Sequence, residues 1–173
     1  MQSNNWQKAI KVLKEGGVIV APTDTLYGVL AKALNKKAVQ RVYNIKGRNQ
    51  KKPLIVLIAD FSDLKKFGME VNKEGQNFLR KFWPGKVSAI LPCTQKKFEY
   101  IHRGTNTIAF RMIGIRNKNL FNLLKCVGPL VAPSANPQGL EPAFTIWKAK
   151  KYFGDKIDLY MCGGTRKSKP STI

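Results

Sequence analysis

The chain has 173 residues, and its 31 lysines and arginines against 10 acidic residues give a formal net charge of +21 at pH 7. An apolar content of 43% is that of a folded globular protein, which argues against disorder, and the length suits one domain over residues 1–173. The longest apolar runs fall far short of the roughly 20 residues that a membrane helix needs, and no secretory leader is visible. We therefore expect a cytoplasmic protein that has no membrane partner.

Most of the positive charge comes from lysine, since only seven of the cations are arginine. Lysine acts as a mobile point charge, whereas arginine recognises phosphate or carboxylate groups with a planar fork. Lysine pairs at 36–37, 65–66, 96–97 and 150–151 are spread along the chain. Two interpretations stay open: solvated surface lysines with generic affinity for polyanions, or a surface that binds RNA.

The cysteines and the single histidine do not form a recognisable site. Cys93, Cys126 and Cys162 lie far apart and are odd in number, and His102 stands alone. A structural zinc site needs four closely spaced ligands, and a disulfide framework needs paired cysteines. We therefore assign no residue to a metal and propose no Ser-His-Asp set.

Helices and strands are predicted to alternate irregularly along the chain. In order, they are a helix over 5–15, a strand at 18–21, a helix capped by Asn35, a strand at 54–59, a helix over 73–82, strands at 88–91 and 107–112, a helix capped by Asn117, a strand at 130–132, a helix over 145–153 and a strand at 157–161. The strand at 54–59 is continuously apolar, which is typical of strands buried on both faces. The predicted fold class is α/β, a single domain with a twisted mixed β-sheet flanked by helices.

Polar residues crowd the end of the strand at 18–21. The turn at 22–28, Pro-Thr-Asp-Thr-Leu-Tyr-Gly, holds two hydroxyls and a carboxylate that can bind a ligand or cap a helix. Binding residues often lie on loops that a rigid strand supports. We therefore interpret this turn as a binding loop.

Cations gather in front of the strand at 54–59. Lys46 and Arg48 flank a glycine that lets another backbone approach closely, and Lys51 and Lys52 add charge. Such a cluster suits a triphosphate or pyrophosphate, although a plain basic loop has the same composition. No Walker loop and no GxGxxG motif occurs, so a nucleotide would be held by a different arrangement.

Three later segments also carry candidate site residues. Arg111 ends the apolar run at 107–110 and can either pair with a carboxylate or phosphate in a cleft or lie at an edge in solvent. Residues 133–137, Pro-Ser-Ala-Asn-Pro, follow the strand at 130–132 and are typical of a turn. The glycine-rich basic segment 163–173 is either a flexible tail or a lid that contacts phosphate.

Taken together and in this order, the motifs resemble those of the YrdC/Sua5 family, the threonylcarbamoyl-AMP synthases. The blocks that carry the resemblance are Pro22 to Gly28, Lys46-Gly47-Arg48, Lys52-Pro53-Leu54, Trp83-Pro84-Gly85, Ala109-Phe110-Arg111, Pro133-Ser134-Ala135-Asn136 with Gly139, and Gly163-Gly164 leading to Ser171-Thr172-Ile173. Each block is weak alone, but seven in order across almost the whole chain are specific. The resemblance implies a YrdC-like domain with a concave basic cleft.

The resemblance also implies a reaction. L-threonine, bicarbonate and ATP, with Mg²⁺ for which no protein ligand is assigned, would give threonylcarbamoyl-AMP and pyrophosphate. A downstream threonylcarbamoyl transferase complex would then modify adenosine 37 of tRNA, and affinity for tRNA or other RNA is expected. Because a carbamate of threonine is unstable in water, the site would shield it and act by positioning and charge neutralisation.

Residue roles follow from the same resemblance. Lys46 and Arg48 are the implied catalytic residues. The implied threonine contacts are Thr25, Arg111, Ala132 and Ser171. The implied ATP contacts are Arg48, Lys52, Thr107, Ser134, Asn136 and Pro142.

Two other functions stay open on the sequence alone. One is an RNA-binding module of the same fold with weak or lost catalysis, which the charge of +21 favours. The other is a carbamoyl transferase that acts on carbamoyl phosphate, as in hydrogenase maturation proteins that contain this domain. The accompanying acylphosphatase and zinc-finger domains have no counterpart in these 173 residues, which disfavours the second alternative.

Overall fold

A computed structural model describes residues 2–167, 171 and 172. The helices in this part are α1 (Gln2–Lys14), α2 (Lys36–Lys46), α3 (Ser62–Lys65), α4 (Lys73–Leu79), α5 (Glu99–His102), α6 (Lys118–Val127) and α7 (Ile146–Phe153). The strands are β1 (Ile19–Pro22), β2 (Tyr27–Lys32), β3 (Ile55–Ile58), β4 (Ala89–Pro92), β5 (Thr107–Met112), β6 (Leu130–Val131) and β7 (Leu159–Tyr160). None of these helices has both the length and the apolar character needed to cross a membrane.

The strands form one mixed, open sheet in the order β4-β5-β3-β6-β2-β1-β7. β3 pairs with β5, and β1 with β7, in parallel. The other neighbouring strands pair in the antiparallel direction. The predicted α/β fold with a mixed sheet is therefore confirmed.

Each face of the sheet carries its own core. Neighbouring residues of a strand point to opposite faces, so Val56 and Ile58 of β3 join the core with α2 and α7, whereas Leu57 joins the core with α1 and α6. All three side chains are fully buried. This arrangement confirms that the strand predicted at 54–59 is covered on both sides and explains its continuous apolar run.

The ends of α2 form as the sequence predicts. Asn35 caps the helix, because its Oδ1 accepts a hydrogen bond from the Ala38 N–H at 3.1 Å. Gly47 ends the helix with a φ of 56°, a left-handed conformation that favours glycine. The predicted cap of α6 is wrong in its chemistry: Asn117 stands at the N-cap but makes no capping bond, because the 3₁₀ turn Ile115–Asn117 already leads the chain into the helix.

Three elements are missing from the sequence prediction. β2 returns along β1 as a hairpin, with Pro22 opposite Tyr27 and Ile19 opposite Leu30. The helices α3 and α5 have only four residues each, too few for an apolar periodicity to develop. The hairpin matters most for the site, because its turn contains the polar segment at 22–28.

Candidate active site

A cavity of about 370 Å³ lies over the sheet, on the face that also carries α1 and α6. Its floor is a row of small and branched side chains from neighbouring strands. Ile90 is opposite Ala109 across β4 and β5, and Ala109 is opposite Ile55 across β5 and β3. Ala132 continues the row, since its N–H donates to the carbonyl of Ile55 at 3.1 Å. The floor of the cavity is therefore apolar.

Polar side chains from separate segments surround this floor. The residues that supply them are Thr23, Thr25, Arg48, Arg111, Ser134 and Ser171. Thr25, Arg48, Arg111 and Ser134, to which the resemblance assigns substrate contacts, therefore lie around one hollow. That the cleft as a whole is basic stays a prediction.

The hairpin turn fixes the position of Thr25. Thr23 Oγ1 donates to the carbonyl of Leu26 at 2.7 Å and accepts from the Thr25 N–H at 3.2 Å. A Cβ at Gly28 would lie only 3.0 Å from Thr23 Cγ2, so glycine lets the strand pass closely under this turn. The loop predicted to bind a ligand is thus a tight turn that is held by its own hydroxyl group.

Arg111 is buried and forms an ion pair with Asp24. Arg111 Nη2 lies 3.0 Å from Asp24 Oδ1, and the two side chains are 4% and 15% exposed. The pair is not a well-directed hydrogen bond, because neither Asp24 Oδ1 nor Arg111 Nε has a hydrogen-bond partner among the described residues. Burial raises the pKa of the Asp24 carboxyl, against the opposing effect of Arg111, and burial lowers the pKa of the Arg111 guanidinium. Arg111 is one of the residues that line the cavity, so a buried guanidinium stands at its wall.

Arg48 is folded back onto the loop that joins α2 to β3. Its Nη2 donates to the carbonyl of Pro53 at 2.9 Å, and its Nε donates to the carbonyl of Lys52 at 3.3 Å. The Tyr43 hydroxyl also donates to the Lys52 carbonyl, at 2.9 Å. Burial lowers the pKa of the Arg48 guanidinium. The loop thus presents a partly desolvated arginine to the cavity, while Lys52 is exposed and lies outside the lining.

Lys46 is buried behind the cavity and does not line it. Its ammonium group donates to the backbone carbonyls of Ser134 and Asn136. Burial, and then the nearby charge of Arg48, lowers the pKa of Lys46 to about 7. The side chain therefore joins the loop after α2 to the loop after β6, and its predicted catalytic role stays a prediction.

Gln138 completes this connection between the two loops. Its N–H donates to the carbonyl of Lys46 at 2.9 Å, and its Oε1 accepts from the Asn49 N–H at 2.7 Å. The sequence analysis missed Gln138, because a glutamine in a loop gives no signal until the two loops are known to meet.

Three other predicted ATP contacts also lie outside the cavity lining. Thr107 is on the same face of β5 as Ala109 and Arg111, two residues before Ala109. The Asn136 amide bonds within its own loop, accepting from Ser134 Oγ at 2.6 Å. Pro142 is half-buried. The predicted roles of these three residues in ATP binding stay predictions.

Ser171, which is near the carboxyl-terminal end of the chain, also lines the cavity. Next to it, the backbone carbonyl of Thr172 accepts from the Ser88 N–H at 2.8 Å, and the Thr172 N–H donates to the carbonyl of Lys86 at 3.1 Å. Earlier in the segment, the Tyr27 hydroxyl accepts from the Gly163 N–H at 2.9 Å and donates to the carbonyl of Gly164 at 2.8 Å. Residues 168–170 and 173 of the segment predicted as a tail or lid lie outside the described residues.

The described residues contain no group of three or more His, Cys, Asp or Glu side chains that could hold a metal ion. Cys93 is buried, and Cys126 and Cys162 are exposed; all three are free thiols. His102 is buried, and its Nδ1 accepts from the Gly104 N–H at 3.2 Å. The cavity itself is lined by none of these residues. The polar side chains that do line it carry hydroxyl and guanidinium groups.

An open α/β sheet with a small polar-rimmed cavity defines a domain built to hold a small molecule, and comparison with known proteins gives its family. The chain belongs to the Sua5/YciO/YrdC family, whose model, described as telomere recombination, matches residues 11–173. The resemblance inferred from the sequence is confirmed.

Two relatives in this family carry the name threonylcarbamoyl-AMP synthase. The protein from Pyrococcus abyssi is 33% identical over 163 residues, covering 93% of this chain and 47% of the relative. The protein from Marinobacter nauticus is 32% identical over 163 residues, covering 91% of this chain and 84% of the relative.

The crystal structure of P. abyssi Sua5 complexed with L-threonine has the same fold. It aligns with a TM-score of 0.84 at 30% identity, over 95% of this chain and 49% of that chain. The chain therefore spans about half the length of the P. abyssi relative.

Proposed function

We propose that this chain is an L-threonylcarbamoyladenylate synthase, a nucleotidyltransferase that uses L-threonine, bicarbonate and ATP and releases pyrophosphate. The observation that carries the proposal is the convergence of Thr25, Arg48, Arg111 and Ser134 on one cavity. Relatives over more than 90% of the chain have this activity in their names, and one was crystallised with L-threonine. A volume of about 370 Å³ lies within the range of small-molecule sites.

Threonine would be held on the β5 side of the cavity. Its carboxylate would pair with the Arg111 guanidinium, since Arg111 lines the cavity. A guanidinium has two donor edges, so Asp24 can orient one edge while the substrate takes the other. Thr25, Ala132 and Ser171 line the same cavity and would contact the rest of the amino acid.

ATP would lie toward the loop after α2 and the loop after β6, which Gln138 joins. Arg48 and Lys52 would neutralise its phosphates, and Ser134, Asn136, Thr107 and Pro142 would contact the nucleotide. Lys46 holds the carbonyls of Ser134 and Asn136, so it would set the position of the nucleotide loop. Mg²⁺ would arrive bound to the phosphates of ATP, which needs no set of protein ligands.

The reaction asks the protein for positioning and charge neutralisation. The threonine amine forms a C–N bond with the carbon of bicarbonate, and water leaves. An oxygen of the resulting carbamate then attacks the α-phosphorus of ATP, and the bond from that phosphorus to the bridging oxygen breaks to release pyrophosphate. Negative charge accumulates near Arg48 and Arg111, where burial strengthens its interaction with the guanidinium groups. The apolar floor would keep water from the carbamate.

The product would then pass to a downstream threonylcarbamoyl transferase that modifies adenosine 37 of tRNA. This step would take place on a separate protein, since threonylcarbamoyl-AMP is the final product of the reaction proposed for this site. Affinity of this chain for tRNA would bring the source of the adenylate close to its point of use.

Pyrophosphate release tests the proposal directly. We expect release from ATP that depends on both threonine and bicarbonate, with threonylcarbamoyl-AMP detected by mass spectrometry. Arg48→Ala should abolish it, whereas Arg116→Ala, at an exposed arginine outside the cavity, should leave it unchanged. Pyrophosphate release no higher than in a control without threonine would overturn the proposal.

The same preparation separates the two alternative functions. A module that only binds RNA would release no pyrophosphate and would keep its RNA affinity in Arg48→Ala. A carbamoyl transferase would be stabilised against heat by carbamoyl phosphate rather than by threonine, since a ligand stabilises the folded state that binds it.

A further inference from the structure

Two surface grooves outside the cavity each have five cations among their lining residues, and together we call them the lysine grooves. The first has a volume of about 680 Å³, and its cations are Lys32, Lys36, Lys37, Lys66 and Lys125. The second has a volume of about 430 Å³, and its cations are Lys36, Lys51, Lys96, Lys97 and Arg103. Because Lys36 lines both, the two grooves form one continuous surface with nine different cations.

The first groove lies at the other end of the sheet from the cavity. β2 starts at the cavity with Tyr27 and ends at the groove with Lys32. At about 3.4 Å per residue, the two ends of this strand are roughly 17 Å apart. The chain before β6 lies in the groove with Gly128 and Pro129, and the chain after it enters the cavity with Ala132. The groove is therefore separate from the proposed site.

The second groove comes back toward the cavity on the outside of one loop. Arg48 and Pro53 of this loop line the cavity, whereas Lys51 lines the groove. The lysine grooves thus run from the strand ends opposite the cavity to the outer side of the loop that forms one wall of the cavity. A ligand that fills them would pass beside the proposed site without entering it.

The charge of the lysine grooves is poorly compensated. Glu99 is the one acidic residue among the residues that line them. Lys66 pairs with Asp63 and Lys125 with Asp60. Among the residues that the structure describes, Lys36, Lys37, Lys51 and Lys96 have no acidic partner and are exposed. Repulsion between them destabilises the free protein and is relieved by a polyanion.

The chemistry of that polyanion can be narrowed. Lysines spaced along a groove suit regularly spaced single charges, which is the pattern of a phosphodiester backbone. A lipid surface is flat, whereas these residues form concave grooves. We propose that the lysine grooves bind the backbone of a nucleic acid, outside the cavity. RNA and DNA share this chemistry, and the experiment below distinguishes them.

A pair of matched triple variants tests the proposal. The groove variant is Lys36→Ala/Lys37→Ala/Lys96→Ala. The control is Lys8→Ala/Lys11→Ala/Lys14→Ala, which removes the same charge from exposed positions on α1. Binding of a labelled, unmodified tRNA transcript, of a DNA duplex and of polyglutamate is measured by fluorescence anisotropy. The salt concentration is varied between about 50 and 300 mM, because the dependence of affinity on salt reports the number of phosphate contacts.

We expect the groove variant to bind the transcript about tenfold more weakly than the control at 100 mM salt. Each lost phosphate contact lowers the slope of log affinity against log salt by about 0.7 to 0.9, so the slope should fall by about two. Equal affinity for RNA and DNA supports recognition of the backbone alone, and tighter binding of RNA supports a groove that also detects its helix form. An equal loss in both triple variants, or polyglutamate bound as tightly as the nucleic acids, would overturn the proposal.

Activity and folding are measured on the same variants. Threonine-dependent pyrophosphate release should stay within twofold in the groove variant, because none of its three lysines lines the cavity. Failure of the proposed function would show as no release in the unmodified chain, while the groove variant could still lose nucleic acid binding. The two inferences can therefore fail separately. Unchanged thermal unfolding shows that both variants are folded.

Discussion

The cavity and the lysine grooves both use positive charge, but they hold it in opposite ways. In and behind the cavity, Arg111 and Lys46 are almost fully buried, and each is fixed by named partners. In the grooves, Lys36, Lys37 and Lys96 are exposed and free of acidic partners among the described residues. The same kind of charge is buried and partnered in one region and exposed in the other.

This difference predicts how each region responds to substitution. A buried cation in a low-dielectric site interacts strongly with one group at one position, so its loss is specific and large. An exposed lysine is screened by salt and contributes a small, additive share. Substitutions in the cavity should therefore separate one substrate from another, whereas substitutions in the grooves should weaken binding in proportion to the charge removed.

Among substitutions that should separate threonine from ATP, the largest effect is expected at Arg111. Arg111→Ala removes the proposed partner of the threonine carboxylate, and a hydrogen bond between charged groups contributes about 1.5–3 kcal/mol. We expect the KM for threonine to rise by about 100-fold, with the KM for ATP within threefold of its original value. Steady-state pyrophosphate release at varied threonine and ATP measures both constants.

Arg116→Ala is the matched control for Arg111→Ala, because it removes an exposed arginine that follows the same strand. Arg111→Lys keeps the charge without the fork and should recover part of the affinity for threonine. Equal increases in both KM values for Arg111→Ala would contradict the assigned role.

The second effect concerns Lys46 and the pH dependence of stability. Its pKa is lowered from 10.5 to about 7 in the folded protein, so between these values the unfolded chain binds about one proton more than the folded chain. The free energy of unfolding should therefore rise with pH across this window, by up to about 1.4 kcal/mol per pH unit from this group. Below pH 7 the cost of burying the charge is fully present.

Lys46→Met should remove this slope, as measured by urea unfolding at pH 6, 7, 8 and 9. The original chain should gain about 2 kcal/mol of stability relative to the variant between pH 7 and 9. Lys36→Met, at an exposed lysine, should show no change of this kind. Parallel pH curves for the original chain and Lys46→Met would show that burial does not lower this pKa.

The smallest effect is expected at Tyr27. Tyr27→Phe keeps the buried ring but removes the hydroxyl that bonds to Gly163 and Gly164, and a net loss of about 1 kcal/mol in unfolding free energy should follow. Because this segment leads toward Ser171, the KM for threonine should rise a few-fold. Thermal unfolding and steady-state kinetics measure the two effects.

Tyr160→Phe is the control for Tyr27→Phe, since the Tyr160 hydroxyl donates to the Gly154 carbonyl in an exposed hydrogen bond. Its loss should change stability by less than about 0.5 kcal/mol. If both variants lose the same stability, the hydroxyl of Tyr27 does not hold the segment.

Most of the sheet and helices could be predicted because local signals agree with the fold. Thr107–Met112 is a strand over the predicted residues, and α2 begins after the Asn35 cap and ends at Gly47. β2 was missed because Gly28 and the polar turn before it hide the apolar run that follows. The residues between the paired Pro22 and Tyr27 are Thr-Asp-Thr-Leu, which contain no Asn-Gly or Asp-Gly hairpin signal.

The candidate site divides in the same way. The resemblance assigns substrate contacts to Thr25, Arg48, Arg111 and Ser134, and these four residues do line one cavity. The burial of Lys46 and the part played by Gln138 could not be predicted, because both depend on two loops that are about 90 residues apart in the chain. The Asp24–Arg111 pair likewise forms only when the hairpin turn reaches β5.

The row of floor residues would limit the size of the amino acid that the proposed site accepts. Each of Ile90, Ala109, Ile55 and Ala132 comes from a different strand segment, so the spacing between them is set by main-chain pairing and stays the same whatever the side chains are. At two of the four positions, Ala109 and Ala132, the row has only a methyl group. A valine at either position would make the depression shallower without moving Arg111, so substrate size and substrate anchoring can change independently.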